Sequence, residues 1–186
     1  MTVQDMTISD TLPAHVRPLC EEDAPSYRAC LDQVARERLF IAFTEAPSEH
    51  EARFYIKAML QRNLPFVVAV DPVDTVVGWC NIHVAPDNPT RPGFGHVGVL
   101  GMGLIEQYRG KGLGTQMMQA CFDWSGRVGL ERIELQVYAS NTGAIGLYRK
   151  FGFTTEGVKT RARKLDGHYD DIVIMARLRP PTPGGR

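Results

Sequence analysis

Three glycines alternate with other residues at Gly110, Gly112 and Gly114 within LIEQYRGKGLGTQMM, Leu104 to Met118. Arg109 precedes them, Lys111 is interleaved, and an amphipathic run begins at Leu113. A strand, a glycine loop and a helix in that order form an anion site. The first helical turn leaves N–H groups without intrahelical acceptors, and the macrodipole adds partial positive charge. Glycines let the backbone approach a phosphate closely and adopt positive φ. Arg109 and Lys111 can add charge-assisted hydrogen bonds. The chemistry that suits this pattern is the holding of a diphosphate.

Three diphosphate patterns compete for the stretch. A P-loop needs Ser or Thr after its lysine, and here Lys111 is followed by Gly112. A dinucleotide fingerprint needs GxGxxG early in a βαβ unit. These glycines read GxGxG and come after two helical patterns and several strands. The third pattern, R/Q-x-x-G-x-G/A, is met by Arg109, Gly112 and Gly114. A second motif, LQVYASNTGAIGLYRKFGF, lies downstream at Leu135 to Phe153, and EGVKTRARKLDGHYDDIVIMARL follows it. Together they resemble the pyrophosphate loop, later motif and closing hairpin of the GNAT N-acetyltransferase superfamily. The resemblance runs from about His15 to Leu178.

That resemblance implies acetyl-CoA as co-substrate, no metal, and acetyl transfer to a primary amine by direct attack. An amine near pKa ~10 is mostly protonated at neutral pH, so a base must take a proton. Backbone N–H groups can stabilise the oxyanion. By resemblance, Leu104, Ile105 and Glu106 pair backbone groups with the pantetheine arm, as an added strand would. Arg109, Gly110, Lys111, Gly112, Leu113, Gly114, Thr115 and Met117 take the pyrophosphate. Asn141 serves the cofactor arm or caps a helix, or both. Tyr148 matches the tyrosine that protonates the leaving thiolate.

The base stays open. The residue matching Gln136 is a glutamate in ribosomal-protein N-terminal acetyltransferases, and glutamine cannot accept a proton at neutral pH. Glu134, two residues earlier on the same strand face, is the first candidate. His96 and His83 are others, as is a water chain. By resemblance the first two helices and the last hairpin wall the acceptor site, where Leu39, Phe40, Ile41 and Phe43 beside Glu45 either suit an amine with a hydrophobic side chain or simply join the core. The favoured acceptor is a small amine such as an amino acid, then a protein N-terminus. The resemblance also allows a homodimer. A CoA-binding regulatory module and a nucleotide-binding protein are the rival readings.

The elements that must position these residues follow from pattern. HVRPL reads as a short strand, and EEDAPSYRACLDQVARERL as a helix with acidic residues in its first turn. Pro47 and Ser48 open a second helix to about Arg62, with Phe54, Ala58 and Leu60 as buried candidates. LPFVVAV, VVGWCNIHV and HVGVLGMGLI read as strands, with APDNPTRPGFG as loop. Leu113, Met117, Cys121, Trp124 and Val128 recur at helical spacing up to Gly129. ERIELQVY alternates, with Ile133, Leu135 and Val137 on one side. SNTGAIGLYRKFG is a short helix capped by Ser140 or Asn141. Strands at about 154–165 and 169–178 join through Asp166-Gly167, a hairpin signal.

The expected fold class is α/β, with the GNAT fold implied: a mixed central sheet of about six to seven strands flanked by about four helices. Residues 13–179 would form one acetyltransferase domain, with tails at 1–12 and 180–186. Lys plus Arg, 21, balance Asp plus Glu, 21, so net charge gives no pull toward nucleic acid or an anionic membrane. The basic run Lys159 to Lys164 reads as a solvated strand edge. No apolar run approaches the ~18 residues of a membrane span. The first residues lack the apolar core of a secretory signal. Cys20, Cys30, Cys80 and Cys121 have no metal spacing, and are read as reduced, mostly buried thiols in a cytoplasmic protein.

Overall fold

A computed structural model describes residues 13–84 and 93–179. The expected tails at 1–12 and 180–186, and most of the proline-rich loop, lie outside the described residues. The chain forms β1 (His15–Pro18), α1 (Ala24–Arg36), α2 (Glu49–Gln61), β2 (Phe66–Val70), β3 (Val76–Val84) and β4 (Val97–Leu104). It continues with α3 (Leu113–Ser125), β5 (Arg132–Tyr138), α4 (Thr142–Lys150), β6 (Thr154–Leu165) and β7 (His168–Leu178). The seven strands make one mixed sheet in the order β1-β2-β3-β4-β5-β7-β6. Only the β4–β5 pairing is parallel, and α3 is the crossover that a parallel pair requires.

Successive side chains of a strand point to opposite faces. Trp79 and Asn81 of β3 therefore face α1 and α2. The Trp79 ring meets Tyr27 at 5.8 Å, and the Asn81 amide donates to the Tyr55 hydroxyl at 2.7 Å. The other face carries α3, where the Cys121 thiol reaches the Cys80 carbonyl at 3.1 Å. Helix α4 lies beside α3, with Phe122 stacked on Phe151 at 5.6 Å. β2 is buried on both faces, which accounts for its unbroken apolar run. One glycine follows from this packing: a Cβ on Gly103 would stand 2.1 Å from the Trp79 ring.

Helix ends differ in detail from the sequence pattern. α1 stops at Arg36 rather than near Leu39 because Arg38 takes a left-handed φ of 58°. The buried stripe of α2 is Ala52, Ile56 and Met59. Phe54 lies two positions from that stripe on either side, about 200° round the helix, and is 72 % exposed instead of buried. Ser48 caps α2 through a reciprocal pair with Glu51. The β6–β7 turn has positive φ at both Asp166 and Gly167, the requirement that Asp-Gly serves. Cys30, Cys80 and Cys121 are buried, whereas Cys20 is exposed. No helix of the described residues is long and apolar enough to cross a membrane.

Candidate active site

The parallel β4–β5 ladder covers only Val97–Val99 against Arg132–Glu134. Beyond it β4 stays paired with β3 as far as Leu104, and β5 stays paired with β7 as far as Tyr138. The sheet thus opens between β4 and β5, leaving Leu100–Gly103 with an unpaired edge on that side. A cavity of about 920 Å³ occupies the opening. Its walls are Leu100–Leu104, the glycine loop, Gln136–Tyr138, Ser140–Ala144, Leu147, Tyr148 and part of the segment after α1.

The glycine loop closes one end. Gly110 and Gly112 have φ of 73° and 83°, and Gly112 is the N-cap of α3 with no side-chain cap. The first helical bond runs from Gln116 N–H to the Gly112 carbonyl at 3.1 Å. The amides before Gln116 therefore have no intrahelical acceptor. Gly112, Gly114 and Thr115 line the cavity. A Cβ on Gly114 would meet Leu147 at 3.2 Å, so a side chain there would fill the cradle. This end fits a diphosphate through backbone donors and helix dipole.

Of the residues expected at the diphosphate, Arg109 borders the cavity but spends its guanidinium on protein partners, and two others face the core. The Arg109 guanidinium is already engaged: Nε donates to the Leu104 carbonyl at 2.7 Å, and Nη2 to both Glu37 carboxylate oxygens at 2.7 and 2.8 Å. It also stacks 5.1 Å from the Phe40 ring centre. Leu113 and Met117 turn into the core, because they lie on the apolar stripe of α3. The Ile105 N–H already donates to the Val77 carbonyl at 3.0 Å, and Glu106 opens a single 3₁₀ turn. The strand stretch that borders the cavity is thus Leu100–Leu104, which includes the expected Leu104 but not Ile105 or Glu106. Lys111 is exposed.

The second motif supplies the neighbouring wall. Asn141 caps α4, its side-chain oxygen accepting from Ala144 N–H at 3.2 Å, and it also borders the cavity. Tyr148, 7 % exposed, borders the same cavity and packs on Phe153 with ring centres 5.8 Å apart. Burial pushes its phenol well above the ordinary tyrosine range, and the nearby Cys80 thiol adds to this. Tyr148 therefore keeps its proton throughout the neutral range and has an O–H to donate into the cavity.

The far end is formed by Val34, Phe40, Ile41, Ala42, Tyr138 and Ile172. Phe40 and Ile41 belong to the run expected there. Leu39 and Phe43 point outward, at 53 % and 55 % exposure, and Glu45 is exposed and off the wall. Ile172 reaches the cavity from the second hairpin strand, and no local pattern in the sequence marks it. Gln136 borders the cavity and its amide oxygen accepts from Lys159 Nζ at 3.3 Å.

The candidate bases do not meet there. Glu134 is held by Arg132 at 3.1 Å, on a guanidinium that also binds Glu156 at 2.5 Å, and Glu134 does not border the cavity. His96 precedes β4, is exposed, and uses its carbonyl to accept from Glu131 N–H at 3.0 Å. His83 lies on β3 away from the cavity wall, and burial lowers its pKa. Among the described residues, the wall carries neither carboxylate nor imidazole. No group of His, Cys, Asp and Glu among the described residues could hold a metal ion.

The model of the acetyltransferase (GNAT) family matches residues 27–153. An L-amino acid N-acetyltransferase, AaaT, of Escherichia coli (strain K12) is 31 % identical over 101 residues, 52 % of this chain and 60 % of that protein. An L-methionine sulfoximine/L-methionine sulfone acetyltransferase of Pseudomonas paraeruginosa (strain DSM 24068 / PA7) is 27 % identical over 130 residues, 69 % of this chain and 73 % of that protein. The chain spans 34 to 60 % of the length of the curated relatives it matches first. A GNAT superfamily phosphinothricin acetyltransferase from Sinorhizobium meliloti, solved in complex with AcCoA, superposes with a TM-score of 0.81 at 20 % identity, covering 92 % of this chain and 94 % of that one. The sheet parted at one parallel pair, the glycine-capped helix beside the gap and the match over residues 27–153 agree: this chain belongs to the GNAT acetyltransferase family.

Proposed function

We propose that this protein transfers an acetyl group from acetyl-CoA to a primary amine, by direct attack with both substrates bound. A small amine such as an amino acid is the favoured acceptor, and a protein N-terminus the next. One observation carries the reading: Tyr148, the capped start of α4, and the open amides of α3 border a single cavity between β4 and β5. The α3 amides would hold the diphosphate and the Leu100–Gly103 edge the pantetheine arm. Acetyl-CoA supplies an activated thioester carbonyl.

The residues divide the remaining work. Tyr148 donates a hydrogen bond to the sulfur as the C–S bond breaks and the N–C bond forms. A thiol has a lower ordinary pKa than a phenol, so Tyr148 stabilises developing thiolate charge more readily than it gives up its proton. The amine proton leaves through water, since the described wall holds no carboxylate or imidazole. Val34, Phe40, Ile41 and Ile172 exclude bulk water and suit an apolar acceptor side chain. The amino-acid substrates named for two relatives favour the small-amine choice.

The missing carboxylate also favours a second reading, a CoA-binding regulatory module without turnover. Thiol release from acetyl-CoA decides between them, measured against free amino acids, N-terminal peptides, polyamines and aminoglycosides. Release with one class, lost in Tyr148→Phe, is the expected result. Tight CoA binding with no release from any amine would overturn the enzymatic reading in favour of the module.

A further inference from the structure

Arg109 sits where the family motif sets an arginine or glutamine beside the glycines and borders the cavity, yet its guanidinium is spent on protein partners. It reaches Glu37, just past α1, with two short hydrogen bonds, and packs over Phe40. Glu37 and Phe40 bracket Arg38, a non-glycine residue in the left-handed region, and lead into Ile41 and Ala42 on the cavity's far wall. The same guanidinium holds the Leu104 carbonyl at the end of β4. One side chain thus ties the glycine loop, the open strand and the far wall.

The segment is held from its other side as well. Arg38 pairs with Asp166 at 2.8 Å, and the Arg163 guanidinium donates to the Arg38 carbonyl while stacking 4.4 Å from the Tyr138 ring centre. The two attachments differ in shielding. The side chains of Arg38 and Asp166 are 45 % and 68 % exposed, those of Arg109 and Glu37 only 30 % and 18 %. Exposed pairs contribute little, whereas a better shielded, charge-assisted pair in which one guanidinium nitrogen serves both carboxylate oxygens holds its partners more firmly. The contact with Arg109 is therefore the better shielded of the two ion pairs that hold residues 37–42.

We propose that the Glu37–Arg109 pair couples occupancy of the glycine loop to the order of the acceptor wall. Arg109 is a positioning residue for the acceptor end, not a ligand of the diphosphate. The coupling rests on the reading that the glycine loop binds coenzyme A. Gly110 and Gly112 have positive φ, and a Cβ on either would meet nothing within 4 Å, so packing restrains them little. An anion on the α3 amides fixes them and, with them, the backbone of Arg109. The guanidinium, already anchored on Leu104, passes that restraint to Glu37 and the wall beyond it. Acceptor affinity then rises when the cofactor is in place, and reciprocally.

Amide hydrogen exchange with and without coenzyme A tests this in the wild-type chain and in Glu37→Gln. In the wild type, coenzyme A should slow exchange at residues 110–116 and also at 37–43, the latter by about fivefold, the low end of ordinary coupling. In Glu37→Gln the slowing at 110–116 should persist and that at 37–43 should vanish. Arg109→Lys, which keeps charge but loses the fork, should lose most of it too. Unchanged exchange at 76–82 in β3 reports an intact fold. Equal slowing of 37–43 in wild type and both variants overturns the coupling. So does a wild type in which 110–116 responds and 37–43 does not. No response at 110–116 removes the coenzyme A reading itself, and the coupling with it.

Discussion

The two ends of the cavity are built in opposite ways. The glycine end is mostly backbone, from two contiguous stretches: Gly110, Gly112, Gly114 and Thr115, then Ser140 to Ala144. The far end is mostly side chain, from Val34 at the end of α1 to Ile172 on β7. Backbone donors at a helix start are the same whatever the neighbouring side chains are, so a short motif suffices to encode them. A wall of side chains from distant elements has no local motif. It exists only once the sheet, α1 and the β6–β7 hairpin have packed. Tyr148 stands where the two halves meet.

The largest expected effect falls at that junction. Tyr148→Phe removes one hydroxyl from a buried ring and should lower kcat by about a hundredfold, within the range of one positioned proton donor. The Kd for coenzyme A should stay within about twofold, because the diphosphate is held by amides elsewhere. Stopped-turnover kinetics and calorimetry separate the two. A parallel fall in both would erase the division between the ends.

Gly112→Val sharpens the same contrast from the other side. Its φ of 83° is a genuine outlier for a β-branched residue, and the strain of about 1–2 kcal/mol must be relieved by turning the loop. No atom lies within 4 Å of the missing Cβ, so the fold is untouched and only the amides move. Affinity for coenzyme A should fall about 30-fold by calorimetry while Tm changes little. Unchanged affinity would mean that the loop does not hold the anion.

The same division decides what could be read from the chain. The element order and the mixed sheet follow from local signals: alternation in ERIELQVY, the capped second helix, the Asp-Gly turn. The glycine loop and the start of α4 are legible for the same reason. The tie between Arg109 and Glu37 is not, because the two lie 72 positions apart and only the fold brings them together. Phe54 was not, because its spacing fits a helix face without saying which face is inward. Glu134 shares a strand face with Gln136, yet Arg132 holds its carboxylate away from the cavity wall.

A histidine base would break the contrast, and His83, though off the cavity wall, is the one to test. Its Nδ1 is buried and unpaired among the described residues, and burial lowers its pKa below the ordinary value of about 6.5. With a folded pKa below the unfolded one, the unfolded chain binds more protons in that window. Stability is therefore full above about pH 6.5 and declines as pH falls toward the folded value. Between pH 7 and 5, Tm should fall less steeply in His83→Gln than in the wild type. The pH profile of kcat/KM should be the same in both. A lost inflection in that profile would return His83 to the chemistry.

Glu134→Gln should do least of all. Its carboxylate shares Arg132 with Glu156, and the three side chains are 38, 24 and 40 % exposed. Solvent screens such a cluster, so breaking one arm costs well under ~1 kcal/mol. Glu156 keeps the guanidinium by two bonds of 2.8 and 2.5 Å, and Arg132 stays in place. Turnover should remain within about twofold of wild type, since a base worth its place contributes at least ~10²-fold. Kinetics at saturating acetyl-CoA give the answer. A hundredfold fall with unchanged coenzyme A affinity would mean that the carboxylate leaves Arg132 and reaches the amine through water. The far end would then hold a titratable group after all, and its contrast with the backbone-built end would be one of position rather than of chemistry.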